Sequence, residues 1–201
     1  VTTTLYAPGI GYYSTAKTRV GHSPKTDFYT AQSLGPIFGQ LVVAACESLL
    51  GDTDPNSYTF VEIAAEPDRS VLQGVEHDFG ATQTIRLFDS LNIPPKAIVF
   101  ANEWLDAQPF RRFRFDQDQG WLERGVEVTE SGLQEIDLHQ SGDIPTYLKE
   151  ISQSTPHDYL LDLPTGAKES LVNLCSKEWN GLFLTFDYGL SLEDFTRRRP
   201  E

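Results

Sequence analysis

"KAIVFANE", Lys96 to Glu103, is an apolar run rich in Val, Ile and Phe that ends on two polar side chains. It is too short to pay for a buried helix and shows no polar alternation, so it reads as a strand covered on both faces. "SYTFVEIAA" (57 to 65) and "GLFLTFDYG" (181 to 189) have the same character, the first carrying Glu62 and the second ending in Asp187. Helical patterns surround them. Ser33 to Leu50 is expected as a helix capped by Ser33, with Pro36 in its first turn and Gly51 past its end, burying a stripe of Ile37, Phe38, Leu41, Val42, Ala45 and Leu49. "AKESLVNLCSKEW" (167 to 179) is expected as another. Buried strands alternating with helices predict an α/β fold, a mostly parallel, Rossmann-like sheet with helices on both faces. Ligands of such sheets sit beyond the carboxyl ends of the strands, which makes Glu62, Asn102, Glu103 and Asp187 candidates. The plainer alternative is that these strands simply run into polar loops.

The remaining segments are read by contrast. "FRRFRF" and "WLERGVEV", separated by Asp116 to Gly120, predict a β-hairpin with alternating faces. "TESGLQEIDLHQSGDIPT" shows no clear period and reads as a polar excursion. Cys46 and Cys175 fall in apolar stretches and are expected as buried helical thiols, without a disulfide framework. The four histidines have no ligand spacing, so no metal is expected. With 29 acidic against 16 basic residues the formal charge is −13, a field that repels nucleic acid and suits a basic peptide, or serves solubility alone. No membrane span or signal-peptide layout is read.

Five segments in order, "GYYS", "TDFYTAQSLGPIFGQ", "FANEWLDAQPFRRF", "GWLERGV" and "LFLTFDYG", carry a resemblance that runs from about Leu5 to Gly189. The chain resembles the MidA-like family of S-adenosylmethionine-dependent methyltransferases, whose mitochondrial members methylate arginine on a respiratory complex I subunit and support assembly of that complex. The resemblance implies a class I methyltransferase fold in a single domain, 1–201, with 1–32 as a lid or substrate segment and 33–201 as a core with a hairpin insertion near 110–128. It implies S-adenosylmethionine as cofactor, a protein partner with a basic or arginine-bearing segment, and a location in the bacterial cytosol or the mitochondrial matrix. By the same resemblance the catalytic residues are Asn102, Glu103, Asp106 and Asp27, which matches the acid of the family's "GDF". The cofactor-binding set is Glu62, Ala64, Glu66, Asp68, Tyr13 and Asn102.

The chemistry of these residues is compatible. Glu103 and Asp106, three residues apart on a turn, offer two carboxylates to the planar fork of a guanidinium. A sulfonium favours acidic and aromatic surroundings, which Tyr12, Tyr13, Phe28 and Tyr29 could supply, although they could equally pack a loop. One segment departs from the family. Its glycine-rich loop, E-x-G-x-G-x-G, is here "EIAAEPDRS", with Ala64, Glu66 and Asp68 at the three glycine positions and Pro67 lacking an amide donor. The span from Glu62 to Ala101 also looks too short for the usual strand-helix-strand unit, which supplies an acid to the ribose. Weak cofactor affinity is therefore expected, and two functions stay open: an active protein methyltransferase, or a methyltransferase-shaped module that binds a basic segment.

Overall fold

The computed structural model describes residues 2–15, 27, 31–65, 69–86, 89–138, 144–146, 148, 155–191 and 194. Its elements are α1 (Thr2–Tyr6), α2 (Pro36–Leu50), β1 (Thr59–Ile63), β2 (Ala81–Ile85), β3 (Lys96–Asn102), β4 (Arg111–Asp116), β5 (Gly120–Thr129), β6 (Gly132–Leu138), β7 (Leu160–Leu163), α3 (Thr165–Cys175) and β8 (Asn180–Phe186). Two four-stranded sheets result, ordered β2-β1-β3-β8 and β6-β5-β4-β7.

Every pairing in the first sheet is parallel. Successive side chains of a strand point to opposite faces, so an apolar run must be covered twice. Phe60, Ile98 and Phe100 pack on one face beneath Phe38, Val42, Val43 and Cys46 of α2. Val61, Ile63, Val99 and Ala101 pack on the other with Trp104 and with Leu174 of α3. A helix on each face thus explains why β1 and β3 carry almost no polar residue.

The span from Glu62 to Ala101, expected to be too short for a strand-helix-strand unit, holds a parallel strand, β2, reached by a connection whose described residues form turns rather than a helix. Other expectations are corrected. Ser33 does not cap α2: it lies in a 3₁₀ turn, Ala31–Leu34, and Gly35 holds the N-cap position ahead of Pro36. The buried stripe of α2 is Phe38, Gly39, Val42, Val43 and Cys46, which leaves Ile37, Leu41 and Leu49 exposed. Gly39 is needed for close approach, since a Cβ there would lie 2.2 Å from the carbonyl oxygen of Val71. Helix α3 starts at Thr165 and stops at Cys175, whose thiol is exposed, whereas Cys46 is buried and its thiol is pushed up to about 11, mainly by burial.

The expected hairpin is half of the second sheet, and residues 132–138 of the polar stretch that follows it form β6. Phe113, Phe115, Trp121, Leu161 and Leu163 form its apolar face with Leu148 and Tyr159. Its other side is an ion-pair lattice. Arg112 forms a bidentate pair with Asp162, both contacts at 2.7 Å, and Arg114 and Arg124 share Asp137. The acids of β6 that read as loop polarity are therefore counter-charges for the arginines of β4 and β5.

Candidate functional site

At the carboxyl end of β3 the chain leaves the sheet at Asn102 and turns through Glu103, whose φ of 49° lies in the left-handed region. A non-glycine residue there costs about 1–3 kcal/mol and needs its surroundings to hold it. Strand β8 does so. The Glu103 amide donates to the Phe186 carbonyl at 2.8 Å, and the Asp187 carboxylate accepts from the amides of Leu105 at 2.7 Å and Asp106 at 3.2 Å. Asp187 is thus a clamp on the turn that carries Glu103 and Asp106.

The acids gathered by this clamp act on Glu103 and Asp106. The Glu103 carboxyl is raised above its ordinary range by burial first and then by Asp106 and Asp187, with a hydrogen bond from Asn102 working against the shift. Asp106 is raised by burial and then by Asp187. Asn102 Oδ1 is buried without a hydrogen-bond partner among the described residues. An acceptor-rich, donor-poor corner of this kind suits a donor-rich cation.

The N-terminal segment folds onto the same turn. The Tyr6 hydroxyl donates to the carbonyl of Ala107. Tyr6 stacks on Tyr13 at 5.5 Å between centroids, Tyr12 meets Tyr13 edge-on at 5.0 Å, and the Tyr12 hydroxyl donates to Asp27 at 2.6 Å. Burial, then Tyr13 and Asp106, push the Tyr6 hydroxyl up to about 12. Tyr13 and Asp106 accordingly share a neighbour in Tyr6, and Asp27 joins the group through Tyr12. Phe28 and Tyr29 lie outside the described residues. Tyr6 escaped the sequence reading because its role depends on a contact with the distant Ala107.

The end of β1 is built differently. Glu62 is 1% exposed, and its carboxylate accepts from the Val71 amide at 2.9 and 3.1 Å. Burial raises its pKa, with Ser70, Val71 and Arg86 opposing the shift. Glu62 therefore ties down the middle of the β1–β2 connection. Ala64 keeps a left-handed backbone, φ 58°, where the family motif has its first glycine. Glu66, Pro67 and Asp68 lie outside the described residues.

Between the ends of β1 and β2 lies a cavity of about 790 Å³, bounded by Ile63, Ala64, Trp104, Tyr6, Arg86 and Asp89 among others. Its volume is in the range of small-molecule sites. Apolar walls from Ile63 and Trp104 can flank a flat base, and Asp89 offers a carboxylate to sugar hydroxyls, although one of its oxygens already accepts from the Arg86 amide at 2.9 Å. The described residues therefore fit the nucleoside half of S-adenosylmethionine. Ala64 is the described residue that would meet the methionine half. Asn102, Glu103 and Asp106 do not line this cavity; Tyr6 forms part of its wall and stands beside Asp106.

Residues 35–200 match a family model described as "Putative S-adenosyl-L-methionine-dependent methyltransferase". The chain belongs to this family. It is also similar to a crystal structure of a superfamily member from Burkholderia thailandensis bound to S-adenosyl-homocysteine, with a TM-score of 0.76 and 22% identity over 98% of this chain and 59% of that one. A native structure of an uncharacterized protein of that superfamily, from the same organism, gives a TM-score of 0.69 and 23% identity over 98% of this chain and 57% of that one. The chain thus spans less than two thirds of the length of either. No curated protein sequence matches it significantly. At these identities the two structures establish the fold, a class I methyltransferase-like α/β sheet. Among the described residues no helix is long and apolar enough to cross a membrane, and no group of three or more His, Cys, Asp or Glu side chains is placed to hold a metal ion.

Proposed function

We propose that this chain is the core of a methyltransferase that receives a cationic, arginine-type side chain of a protein partner at the turn from Asn102 to Asp106. The observation that carries the reading is the acceptor set at that turn: Asn102, with its Oδ1 orphaned, bonded to Glu103, the carboxyl of Asp106 acting on Glu103, and Tyr6, stacked on Tyr13, bonded to the Ala107 carbonyl next along the chain. A guanidinium supplies the missing donors in a planar fork, and the carboxylates fix its orientation. Tyr6 joins this turn to the cavity that fits the nucleoside of S-adenosylmethionine, which supplies the methyl group when bound. The chain's own residues then contribute alignment of the guanidinium and exclusion of water.

The substituted glycine loop favours a second reading, in which the same acidic turn holds a basic segment without methyl transfer. One pair of assays separates the two. An arginine-bearing peptide is titrated into wild-type protein and Glu103→Gln, and methyl transfer from labelled S-adenosylmethionine is followed in parallel. The proposal expects peptide binding to fall by at least about tenfold in the variant with thermal stability little changed, and labelled arginine in the wild type. Binding without label supports the module, and equal peptide binding by the two proteins contradicts both readings.

A further inference from the structure

The β5–β6 hairpin runs on past the rest of its sheet. Strand β4 pairs with β5 from Asp116 to Phe113, opposite Gly120 to Glu123, and β7 meets β4 from Arg114 to Arg111. Continued at the same register, Arg111 lies level with Gly125, so Val126 to Thr129 extend beyond the first residue of β4. That is a reach of about 13 Å for extended chain. Strand β6 goes with them, pairing from Leu138 opposite Glu123 to Gly132 opposite Thr129. The outer end is therefore a two-stranded ribbon. Its turn is fixed locally: the Thr129 hydroxyl donates to the Gly132 carbonyl at 2.9 Å, and Ser131 Oγ accepts from Gln134 Nε2 at 3.2 Å.

The ribbon carries its apolar residues on one face. Side chains alternate across a strand and paired residues share a face, so Val126, Val128 and Leu133 stand together with Glu135, on the side of the sheet that holds Arg124 and Asp137. Towards the root this face is occupied by ion pairs, Arg124 to Asp137 at 2.7 Å and to Glu135 at 3.2 Å. Towards the tip it is bare: Val126, Val128 and Leu133 are 64%, 81% and 76% exposed. A two-stranded ribbon alone is marginally stable, and three apolar side chains held in water on it form a surface that gains by being covered. Acids surround the patch. Glu127 and Glu130 form no ion pair among the described residues, and from Gly125 to Leu148 the sequence has no lysine or arginine.

We infer that the tip of this ribbon is a docking surface for an extended segment of a partner protein in which apolar side chains alternate with lysine or arginine. The apolar side chains of that segment cover Val126, Val128 and Leu133. Its bases meet Glu130 in the turn and the half-exposed Glu135 on the same face, with Glu127 on the other face adding to the field. Charge selects this occupant. A second copy of the chain would bring the same acids together in a molecule of formal charge −13, and an anionic lipid surface or a nucleic acid is repelled for the same reason. An extended partner suits the ribbon because both present side chains at a two-residue period. The turn is already formed, which lowers the ordering cost of binding. The surface shares no residue with the Asn102 to Asp106 turn, and its use does not require methyl transfer.

The test is fluorescence anisotropy of labelled synthetic peptides of equal length, titrated with the full chain: alternating valine and lysine, alternating serine and lysine, and alternating valine and glutamate. The proteins compared are wild type, Val128→Thr/Leu133→Thr and Glu127→Gln/Glu130→Gln. All four positions are exposed, so the substitutions should not impair folding, and melting curves verify this. We expect the valine–lysine peptide to bind wild type at least about tenfold more tightly than the serine–lysine peptide, and the valine–glutamate peptide not to bind. Val128→Thr/Leu133→Thr should lower its affinity at least about tenfold, and Glu127→Gln/Glu130→Gln should lower it less and flatten its salt dependence. Equal binding of the two lysine peptides, or unchanged affinity in Val128→Thr/Leu133→Thr, overturns the inference. An equal loss in Glu103→Gln would place the peptide at the Asn102 to Asp106 turn and overturns it too, which keeps this test separate from that of the turn. Sedimentation of the unbound proteins tests the remaining occupant: a wild-type dimer that Val128→Thr/Leu133→Thr separates means that a second copy covers the patch, and contradicts the basic partner.

Discussion

At the carboxyl end of β3 the turn is held from β8 by a backbone bond to Phe186 and by the Asp187 carboxylate, whereas at the end of β1 the Ala64 amide donates to the Ile85 carbonyl of β2 and the Glu62 carboxylate holds the Val71 amide midway along the connection. Both ends force a non-glycine residue into the left-handed region, Glu103 in one and Ala64 in the other. At β3 the strain is supported and presents two carboxyls to a stacked tyrosine cluster. At β1 it falls on an alanine at a glycine position of the family loop, where a side chain competes with close approach of a ligand. The difference teaches that a sheet of this family can keep the corner proposed for a substrate intact while the corner proposed for the cofactor's methionine end diverges from the family's glycine loop.

The largest expected effect comes from removing the clamp. Asp187→Ala deletes charge-assisted acceptors for the Leu105 and Asp106 amides and should lower unfolding free energy by about 2–4 kcal/mol in urea denaturation, with arginine-peptide binding lost alongside. A loss in binding without loss in stability would show that Asp187 does not hold the turn. Next, Gly39→Ala places a Cβ 2.2 Å from the Val71 oxygen and should displace the connection that Glu62 anchors, at about 1–3 kcal/mol. Little change in stability would mean that α2 and this connection are not tightly coupled.

Acidification sharpens the same contrast. Glu103 and Asp106 have raised pKa values, so they protonate early as pH falls; their ionisation opposes folding, and protonation adds stability while removing the charges offered to a guanidinium. Asp137 is held down to about 2 by Arg114 first, so its contribution to the antiparallel sheet is present above the ordinary aspartate range and lost as pH falls towards about 2. Peptide binding should therefore fade at a higher pH than the one at which β4 to β6 lose their ion pairs, as followed by titration and amide exchange. Simultaneous loss would mean that the acidic turn is not the binding element. The smallest effect is expected for Ala64→Gly: relief of left-handed strain offsets the added chain entropy, and stability should change by less than about 1 kcal/mol. A larger loss would mean that the Ala64 side chain packs against the core in a way that outweighs the strain.

What the sequence disclosed follows the physics of burial. Strands β1 and β3 were legible because two-sided covering leaves uninterrupted apolar runs; β8, expected to be buried, was legible from its apolar run although it is an edge strand with no fully buried residue, and the carboxyl ends of β3 and β8 located Asn102, Glu103 and Asp187. Strand β2 was not, since "ATQTI" at a sheet edge carries no apolar signal, and β6 was hidden because its acids serve the arginines of β5 rather than solvent. In α2 two neighbouring ridges are apolar, and only the position of Phe60 and Phe100 decides that Phe38, Val42 and Cys46 turn inward. The roles of Tyr6 and Asp187 rest on pairings between distant parts of the chain, which local pattern does not encode.

The divergence of the β1 corner decides whether the chain holds the cofactor. If two buried backbone hydrogen bonds to the cofactor's charged end are lost, affinity falls by about 3–6 kcal/mol, or about two to four decades in dissociation constant. Calorimetric titration with S-adenosylmethionine, on the unmodified chain and on Ala64→Gly/Glu66→Gly/Asp68→Gly together, measures this directly. The prediction is weak or undetectable binding by the unmodified chain and clearly tighter binding once the glycines are restored. Micromolar binding by the unmodified chain would contradict it, and would mean that the substituted loop holds the cofactor as an ordinary methyltransferase does.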